Sequence, residues 1–169
     1  MAFIQKSLEV NVPASTAYNQ WTQFEAFPRF MSAVEEVRQL DDRHLHWRVR
    51  IGTQVREWDA EITEQIPDKR IAWRSTGGVA QAGVVTFHRI SDERSRVALQ
   101  LEYDANDWAT TAAQFLGIVD RQVERDLEAF KNFVEQRGTP TGAWRGEVPA
   151  KEDAAQQRGG DQPATTVRQ

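Results

Sequence analysis

The sequence contains no cysteine, three histidines among 169 residues, and no long uninterrupted apolar run. The missing cysteine excludes disulfides, a thiolate nucleophile and a cysteine-ligated zinc site. The net charge of −4 gives no electrostatic footprint for nucleic acid or for an anionic membrane surface. We therefore expect no nucleic-acid partner and no insertion into a membrane. Since the N-terminus lacks the pattern of a signal peptide, we also expect a cytoplasmic location.

A long amphipathic helix is the most informative feature that the sequence does contain. Between Asp107 and Gly138, apolar residues recur at steps of three and four, which is the period of one helix face. The stripe consists of Ala112, Phe115, Leu116, Val119, Val123, Leu127, Phe130, Phe133 and Val134. The stripe follows a long region of short segments in which apolar and polar residues alternate, as in strands. We therefore expect all strands of the sheet to precede this helix in the sequence.

The region ahead of this helix predicts one strand, a short helix and six further strands. Alternating apolar positions from Ile4 to Val12 indicate a half-buried strand, and Pro13 favours the first turn of a short helix. Residues 24–31 are rich in aromatic side chains, and Pro28 among them indicates a broken helix or an irregular lid. Residues 34–103 alternate between apolar and polar positions and are divided by turn residues, which is typical of an antiparallel meander.

The segment that begins at Gly138 has a different composition. It is rich in glycine, proline, glutamine, threonine and charge, and a segment of this kind cannot offset its own ordering entropy. We assign residues 1–137 to one domain and 138–149 to a tail that docks on it through Trp144 and Val148. Residues 150–169 are predicted to be disordered. The alternative for Trp144 is exposure to solvent.

Several segments resemble a known family. Residues 10–21 (VNVPASTAYNQW) and 27–31 (FPRFM) resemble the opening of the bacterial polyketide cyclase/dehydrase group. This group belongs to the START-like, or SRPBCC, helix-grip superfamily, which also includes coenzyme Q-binding proteins. Residues 58–62 and 71–75 resemble its middle strands, and residues 126–131 resemble its final helix.

The resemblance implies an α+β helix-grip fold. In this fold a seven-stranded antiparallel sheet is wrapped around the long C-terminal helix, and one or two short helices follow the first strand. It also implies an apolar cavity between the sheet and the helix. Fold is carried over by such a resemblance more securely than function is.

The histidines and glycines do not predict a metal or phosphate site. His44 and His46 share the face of one strand that lies opposite to its apolar residues, and His88 lies on another strand. No cysteine or carboxylate completes a set of three or four converging ligands. The glycine pair 77–78 precedes a strand and not a helix, so no helix N-terminus meets an anion there. We therefore expect no metal and no cofactor.

Three polar residues are candidates for acid–base catalysis inside the expected cavity. Arg56 has the strand parity of Trp58, and Tyr103 has the parity of Leu101, so both are expected to point inward. Ser75 is the serine whose parity points inward. The resemblance implies an inward arginine with aromatic and hydroxyl neighbours, as in the polyketide aromatase/cyclases of this superfamily. The alternatives are a rim position beside a hairpin turn for Arg56 and a strand-end hydroxyl in water for Tyr103.

Large apolar residues on the inner faces are candidates for the lining of a ligand cavity. Pockets for small molecules are mostly apolar and contain few polar groups. The candidates are Trp21, Phe27, Phe30, Met31, Trp47, Trp58, Trp73, Phe87, Leu101, Phe115, Val119 and Val123. The alternative for each of them is ordinary core packing.

Three functions are compatible with these features. The first is binding of a hydrophobic small molecule, such as a lipid, a quinone or a polyketide-like compound, by a monomer. The second is a polyketide cyclase or dehydratase that uses acid–base chemistry in the same cavity. The third is a protein-interaction module. Abundant inward apolar residues and scarce inward titratable residues favour the first.

Overall fold

The computed structural model describes residues 1–150, in which a curved antiparallel sheet surrounds one long helix. The strands are β1 (Ala2–Val10), β2 (Val34–Gln39), β3 (His44–Ile51), β4 (Gln54–Ile66), β5 (Arg70–Gly78), β6 (Gln81–Ser91) and β7 (Arg94–Tyr103). The helices are α1 (Ala14–Trp21), two 3₁₀ helices (Phe24–Arg29 and Ala105–Trp108) and α2 (Ala112–Arg137). The expected α+β helix-grip fold is confirmed.

Strands β2 to β7 form an antiparallel meander, and β1 pairs with β7 at one edge of the sheet. Its order is β1-β7-β6-β5-β4-β3-β2, and every pair of neighbours is antiparallel. The register of β4 against β5 shifts between Asp59 and Ala60 and again between Ile62 and Glu64. Such bulges bend a strand and increase its twist. The bend in this long central strand allows the sheet to curl around α2.

Helix α2 has defined signals at both ends and one buried face. The hydroxyl of Thr111 accepts a hydrogen bond from the backbone N–H of Gln114, and Gly138 ends the helix with a φ of 70°. Leu116 departs from the predicted stripe because it is 37% exposed. It lies beside the buried row and not on it. The buried row consists of Phe115, Val119, Val123, Asp126, Leu127, Phe130 and Val134.

The tail after α2 lies against α1 and the end of β4. The side-chain NH₂ of Gln20 donates to the hydroxyl of Thr141, and the Thr141 backbone N–H donates back to the side-chain oxygen Oε1 of Gln20. Val148 is 3% exposed and exchanges two backbone hydrogen bonds with Gln65, of 2.8 and 2.9 Å. The tail therefore provides partners for the buried side chain of Gln20 and for the backbone of the buried Gln65.

The centre of the tail contacts the domain through Trp144 and Arg145. The Trp144 side chain is partly buried against the core, and its backbone N–H donates to the hydroxyl of Thr22. The Arg145 guanidinium forms two hydrogen bonds with the Asp68 carboxylate and lies over the ring of Tyr18. The predicted disorder of residues 150–169 falls, apart from residue 150, outside the described residues.

The tail contacts generate a stability prediction. Val148→Asp places a charge in a buried position beside Gln65 and detaches the tail, because an unpaired buried charge is costly. We expect a loss of about 2 kcal/mol in the free energy of unfolding, limited to the docking energy, since the domain core is unchanged. Glu147→Ala, at the exposed neighbouring position, is the control. Equal urea midpoints for the two variants contradict the docking of the tail.

Candidate ligand cavity

A cavity of about 100 Å³ lies between the concave face of the sheet and α2. Aromatic and aliphatic side chains form most of its lining, with a few polar groups among them. Ten residues singled out from the sequence line it: Trp21, Phe27, Met31, Trp47, Trp58, Trp73, Leu101, Tyr103, Val119 and Val123. The other ten lining residues were not among the candidates from the sequence, although Leu127 belongs to the predicted helix stripe: Phe24, Ala33, Val34, Val49, Ile51, Gln81, Leu99, Gln122, Asp126 and Leu127.

Three of the expected lining residues lie elsewhere in the core. Phe30 stacks on Phe133 at 4.5 Å between ring centroids and covers the far end of α2. Phe87 packs edge-on against a tyrosine ring of α1. Phe115 packs behind the cavity against Trp108, at 5.5 Å. Each side chain points toward the interior as expected, but its ring packs against other aromatic residues and does not line the cavity.

The tryptophans are fixed in place by the register of the sheet. Trp47 lies directly opposite Trp58 on paired strands. The Trp73 ring lies over Gly83, where an added Cβ atom would approach the ring to 2.4 Å. The Trp73 indole N–H also donates to the side-chain oxygen of Gln81, at 2.9 Å. A glycine at position 83 therefore provides the space for a large ring over the sheet.

Arg56 and Ser75, two of the three expected catalytic residues, do not line the cavity. The Arg56 side chain donates to the backbone oxygen of Asp107, and its guanidinium lies 5.7 Å from the Trp108 ring centroid. It leaves the sheet at the cavity rim and holds the second 3₁₀ helix. The Ser75 hydroxyl accepts a hydrogen bond from the backbone N–H of Gln81 at the β5–β6 turn. Strand parity alone did not show that both lie near the ends of their strands.

Tyr103 lines the cavity, and its ring is held by other aromatic side chains. It is 6% exposed, and the rings of Trp58, Trp108 and Phe115 pack edge-on against it. Within residues 1–150 its hydroxyl forms no hydrogen bond with another side chain or with the backbone. Burial raises the pKa of the Tyr103 phenol, and the negative charge of Asp126 raises it further. The phenol is therefore neutral at physiological pH and able to donate a hydrogen bond.

Asp126 is a titratable group of the cavity that the sequence pattern did not single out. Its Oδ1 atom accepts hydrogen bonds from the backbone N–H and hydroxyl of Ser32 and from the side-chain amide of Gln122. Burial raises the pKa of the Asp126 carboxyl, and these donors oppose the rise. A signal was present in the sequence: Asp126 lies three residues after Val123 and four before Phe130, on the buried face of α2.

Several indole N–H groups around the cavity are buried without an acceptor among residues 1–150. They belong to Trp21, Trp47, Trp58 and Trp108. A buried donor without a partner costs about 1–3 kcal/mol, so this concentration of tryptophan is not optimal for stability. Local violations of this kind are typical of functional regions.

The histidines lie outside the cavity. On the outer face of the sheet, His46 Nδ1 is 2.7 Å from Asp59 Oδ1, and its Nε2 is 3.2 Å from Glu57 Oε1. In the described part of the chain, no three histidine or carboxylate side chains converge as a metal site would require. None of the helices in residues 1–150 combines the length and apolarity needed to cross a bilayer.

The fold, with its cavity between the sheet and the long helix, defines a START-like helix-grip protein. The family model for polyketide cyclase/dehydrase and lipid transport matches residues 10–131. Because this match covers most of the sequence, the chain belongs to that family. An uncharacterized 17.2 kDa protein of Streptomyces lincolnensis is 52% identical over 149 residues, which cover 88% of this chain and 99% of that protein.

Solved structures share the architecture at lower identity. A START superfamily protein from Mycobacterium smegmatis superposes with a TM-score of 0.71 at 16% identity, covering 81% of this chain and 99% of that one. The Zhui aromatase/cyclase of Streptomyces sp. R1128 superposes with a TM-score of 0.68 at 17% identity, covering 84% and 98%. A Deinococcus radiodurans protein is 26% identical, with a TM-score of 0.63 and coverages of 80% and 99%. At the two lower identities the likeness is one of fold alone.

The histidine contacts predict a pH dependence of stability. The hydrogen bonds to Asp59 and Glu57 raise the pKa of His46 above its ordinary value. Its contribution to stability is therefore fully present below about pH 6.5 and is lost as the pH rises through the raised pKa. We expect the difference in melting temperature between wild type and His46→Gln to be largest near pH 5.5 and to shrink by about pH 9.

His88→Gln is the control for this measurement. The His88 ring contacts only a threonine hydroxyl among its hydrogen-bond partners in residues 1–150. We expect the melting temperature of this variant to change with pH as that of the wild type does. A constant difference between wild type and His46→Gln across the pH range contradicts the role assigned to the two carboxylates.

Proposed function

We propose that the chain binds a hydrophobic small molecule in the cavity between the sheet and α2. The observation that supports this most directly is a partly open cavity lined by four tryptophans and few polar groups. Binding pockets for small molecules have this composition. The candidate ligands are a lipid, a quinone or a polyketide-like compound, in keeping with the description of the family. Because one chain forms the whole cavity, we propose a monomer as the binding unit.

The cavity volume restricts the ligand. Typical ligand pockets enclose about 300–1,000 Å³, whereas this one encloses about 100 Å³. An apolar cavity of roughly 150 Å³ accepts one benzene ring. The cavity has about two-thirds of that volume, so in this form it accepts nothing larger than a single small ring. A lipid, quinone or polyketide chain requires an outward movement of the 3₁₀ helix Phe24–Arg29 or of the first turns of α2.

Filling the cavity tests this proposal. Val119→Phe places a larger ring in the lining, whereas Ile118→Phe makes the same change at the neighbouring position, which is 45% exposed. We expect the wild type and Ile118→Phe to show micromolar quenching of tryptophan fluorescence by oleate, menadione or anthraquinone. Val119→Phe is expected to weaken binding at least tenfold, because overpacking removes the space for the ligand.

Two outcomes contradict the binding proposal. One is the absence of quenching by every member of this panel in the wild type. The other is equal affinity for Val119→Phe and Ile118→Phe, since binding is then not in the cavity. Unfolding curves for both variants show whether each is folded under the conditions of the titration.

A second candidate function is acid–base catalysis on a carbonyl substrate, as in a cyclase or dehydratase. It is favoured by the presence of the Tyr103 phenol and the Asp126 carboxylate in one water-poor cavity. The carboxylate can accept a proton from the carbon beside a carbonyl, and the phenol can donate to the developing enolate oxygen. Tyr103 and Asp126 take the place of Arg56 and Ser75, whose side chains are engaged outside the cavity.

Removal of one hydroxyl tests this second function. Tyr103→Phe keeps the ring and its packing but deletes the donor, so we expect turnover of a poly-β-ketone thioester to fall by about 10²-fold. Arg56→Ala is expected to lower the melting temperature through the lost contacts to Asp107 and Trp108, with turnover of the folded protein unchanged. A wild type that does not accelerate cyclisation, or an unimpaired Tyr103→Phe, excludes this mechanism.

A further inference from the structure

We propose that Asp126 binds a hydroxyl group of the ligand, so that the cavity selects hydroxylated aromatic rings over rings of the same size without a hydroxyl. This inference rests on the proposed ligand-binding function and adds the chemical class of the ligand. It derives from the geometry of one carboxylate at the rim of the cavity.

The two oxygens of Asp126 have different surroundings. Oδ1 accepts from the Ser32 backbone N–H at 3.1 Å, the Ser32 hydroxyl at 3.3 Å and the Gln122 amide at 3.1 Å. The backbone N–H of Ala33 also donates a hydrogen bond to the carboxylate. A carboxylate has about four lone-pair positions, two on each oxygen. Oδ2 therefore keeps at least one free position, even if Ala33 occupies the other.

The position of Asp126 indicates that this free acceptor faces the ligand space. The side chain is 91% buried and lines the cavity together with Val123 and Leu127, its neighbours on α2. Within residues 1–150 no lysine or arginine forms an ion pair with it. A buried carboxylate without a cation is costly, and an apolar residue on this helix face would stabilise the core more. Its hydrogen bonds to Ser32 and Gln122 join the loop before β2 to α2, but this structural role leaves an acceptor position of the carboxylate unused among residues 1–150.

A single free acceptor site matches a ligand with one donor. A hydroxyl on an aromatic ring supplies one O–H group, and the ring occupies the apolar remainder of the cavity. An ammonium group has three donors and would leave two of them without partners among the aromatic side chains. A carbonyl oxygen or an ether has no donor and would face the negative charge. The carboxylate therefore favours a hydroxylated ring over each of these groups.

Asp126→Asn reverses the polarity of the free atom. The donors from Ser32 and Gln122 require an acceptor at the Oδ1 position, so the asparagine carbonyl oxygen is expected to take it. The amide NH₂ group then occupies the Oδ2 position and presents a donor to the cavity. The substitution keeps the size of the side chain and its link to Ser32, which separates ligand recognition from a purely structural role. Asp120→Asn, a carboxylate of α2 that pairs with Lys6, is the matched control.

The experiment titrates phenol and toluene, two probes of nearly the same shape, against the full-length protein at about pH 8. The indole N–H signals of the six tryptophans in a ¹H–¹⁵N NMR spectrum report binding. We expect Asp126→Asn to weaken phenol binding by roughly tenfold, since the amide offers the phenol oxygen only a weaker neutral hydrogen bond in place of one to a charged group, and to leave toluene binding unchanged. We expect Asp120→Asn to bind both probes as the wild type does.

The outcomes separate this inference from the proposed function. If toluene binds but phenol binding is the same in the wild type and in Asp126→Asn, the hydroxyl recognition is wrong and the cavity function stands. If Asp126→Asn weakens phenol and toluene equally, Asp126 has a structural role only, and the inference is overturned. Tighter binding of benzylamine than of phenol also overturns it, because the site then prefers an ammonium. If neither probe shifts any indole signal in the wild type, the hydroxyl recognition is overturned, and the quenching titration with oleate, menadione and anthraquinone decides the binding function separately.

Discussion

The structure depends on the contact between one face of α2 and the concave side of the sheet. The helix contributes aliphatic residues such as Val119, Val123 and Leu127, whereas the sheet contributes indole rings at Trp47, Trp58 and Trp73. The contact between the helix and these rings does not reach the close packing of an ordinary core, since a space of about 100 Å³ stays open between them. The same packing that holds the helix therefore leaves a cavity beside it, lined by rigid aromatic side chains.

The polar groups of this cavity are supported by the elements around them. The Gln122 amide and the segment that follows the first 3₁₀ helix hold one oxygen of Asp126, while the aromatic cluster at the other end of α2 surrounds the Tyr103 ring. Burial raises the pKa of both groups, which moves each toward its neutral form. A low-polarity space with few polar groups favours selective contacts with a ligand, because each unmet hydrogen bond there is costly.

Sequence periodicity predicted the order of strands and helices, and the family resemblance implied how the sheet wraps around the last helix, but the cavity was predicted only in part. Alternation along β3 and the stripe on α2 predicted which residues face inward, and the sheet and helix formed as expected. Strand parity predicts which face of the sheet a side chain leaves from, but not which atoms it contacts. Arg56 and Ser75 form hydrogen bonds with backbone groups near the ends of their strands. Asp126 was missed for the opposite reason, since a search for apolar positions passes over a carboxylate on a buried face. Its role depends on Ser32, a residue 94 positions away whose proximity only the folded chain provides.

The distribution of contacts along α2 indicates where the cavity can open. Beyond its C-terminal end, the tail binds buried groups of α1 and β4 through Gln20 and Gln65, and Phe30 stacks over Phe133. The first turns of α2 have fewer such contacts: Leu116 and Ile118 are exposed, and a Cβ atom added at Gly117 between them would meet nothing within 4 Å. A glycine inside a helix lowers its local stability by about 1 kcal/mol relative to alanine. Since a ligand larger than one ring requires the cavity to expand, we expect the turns of α2 around Gly117 to move more readily than its C-terminal half, with the contacts of Phe115 to Tyr103 and Trp108 as the main resistance.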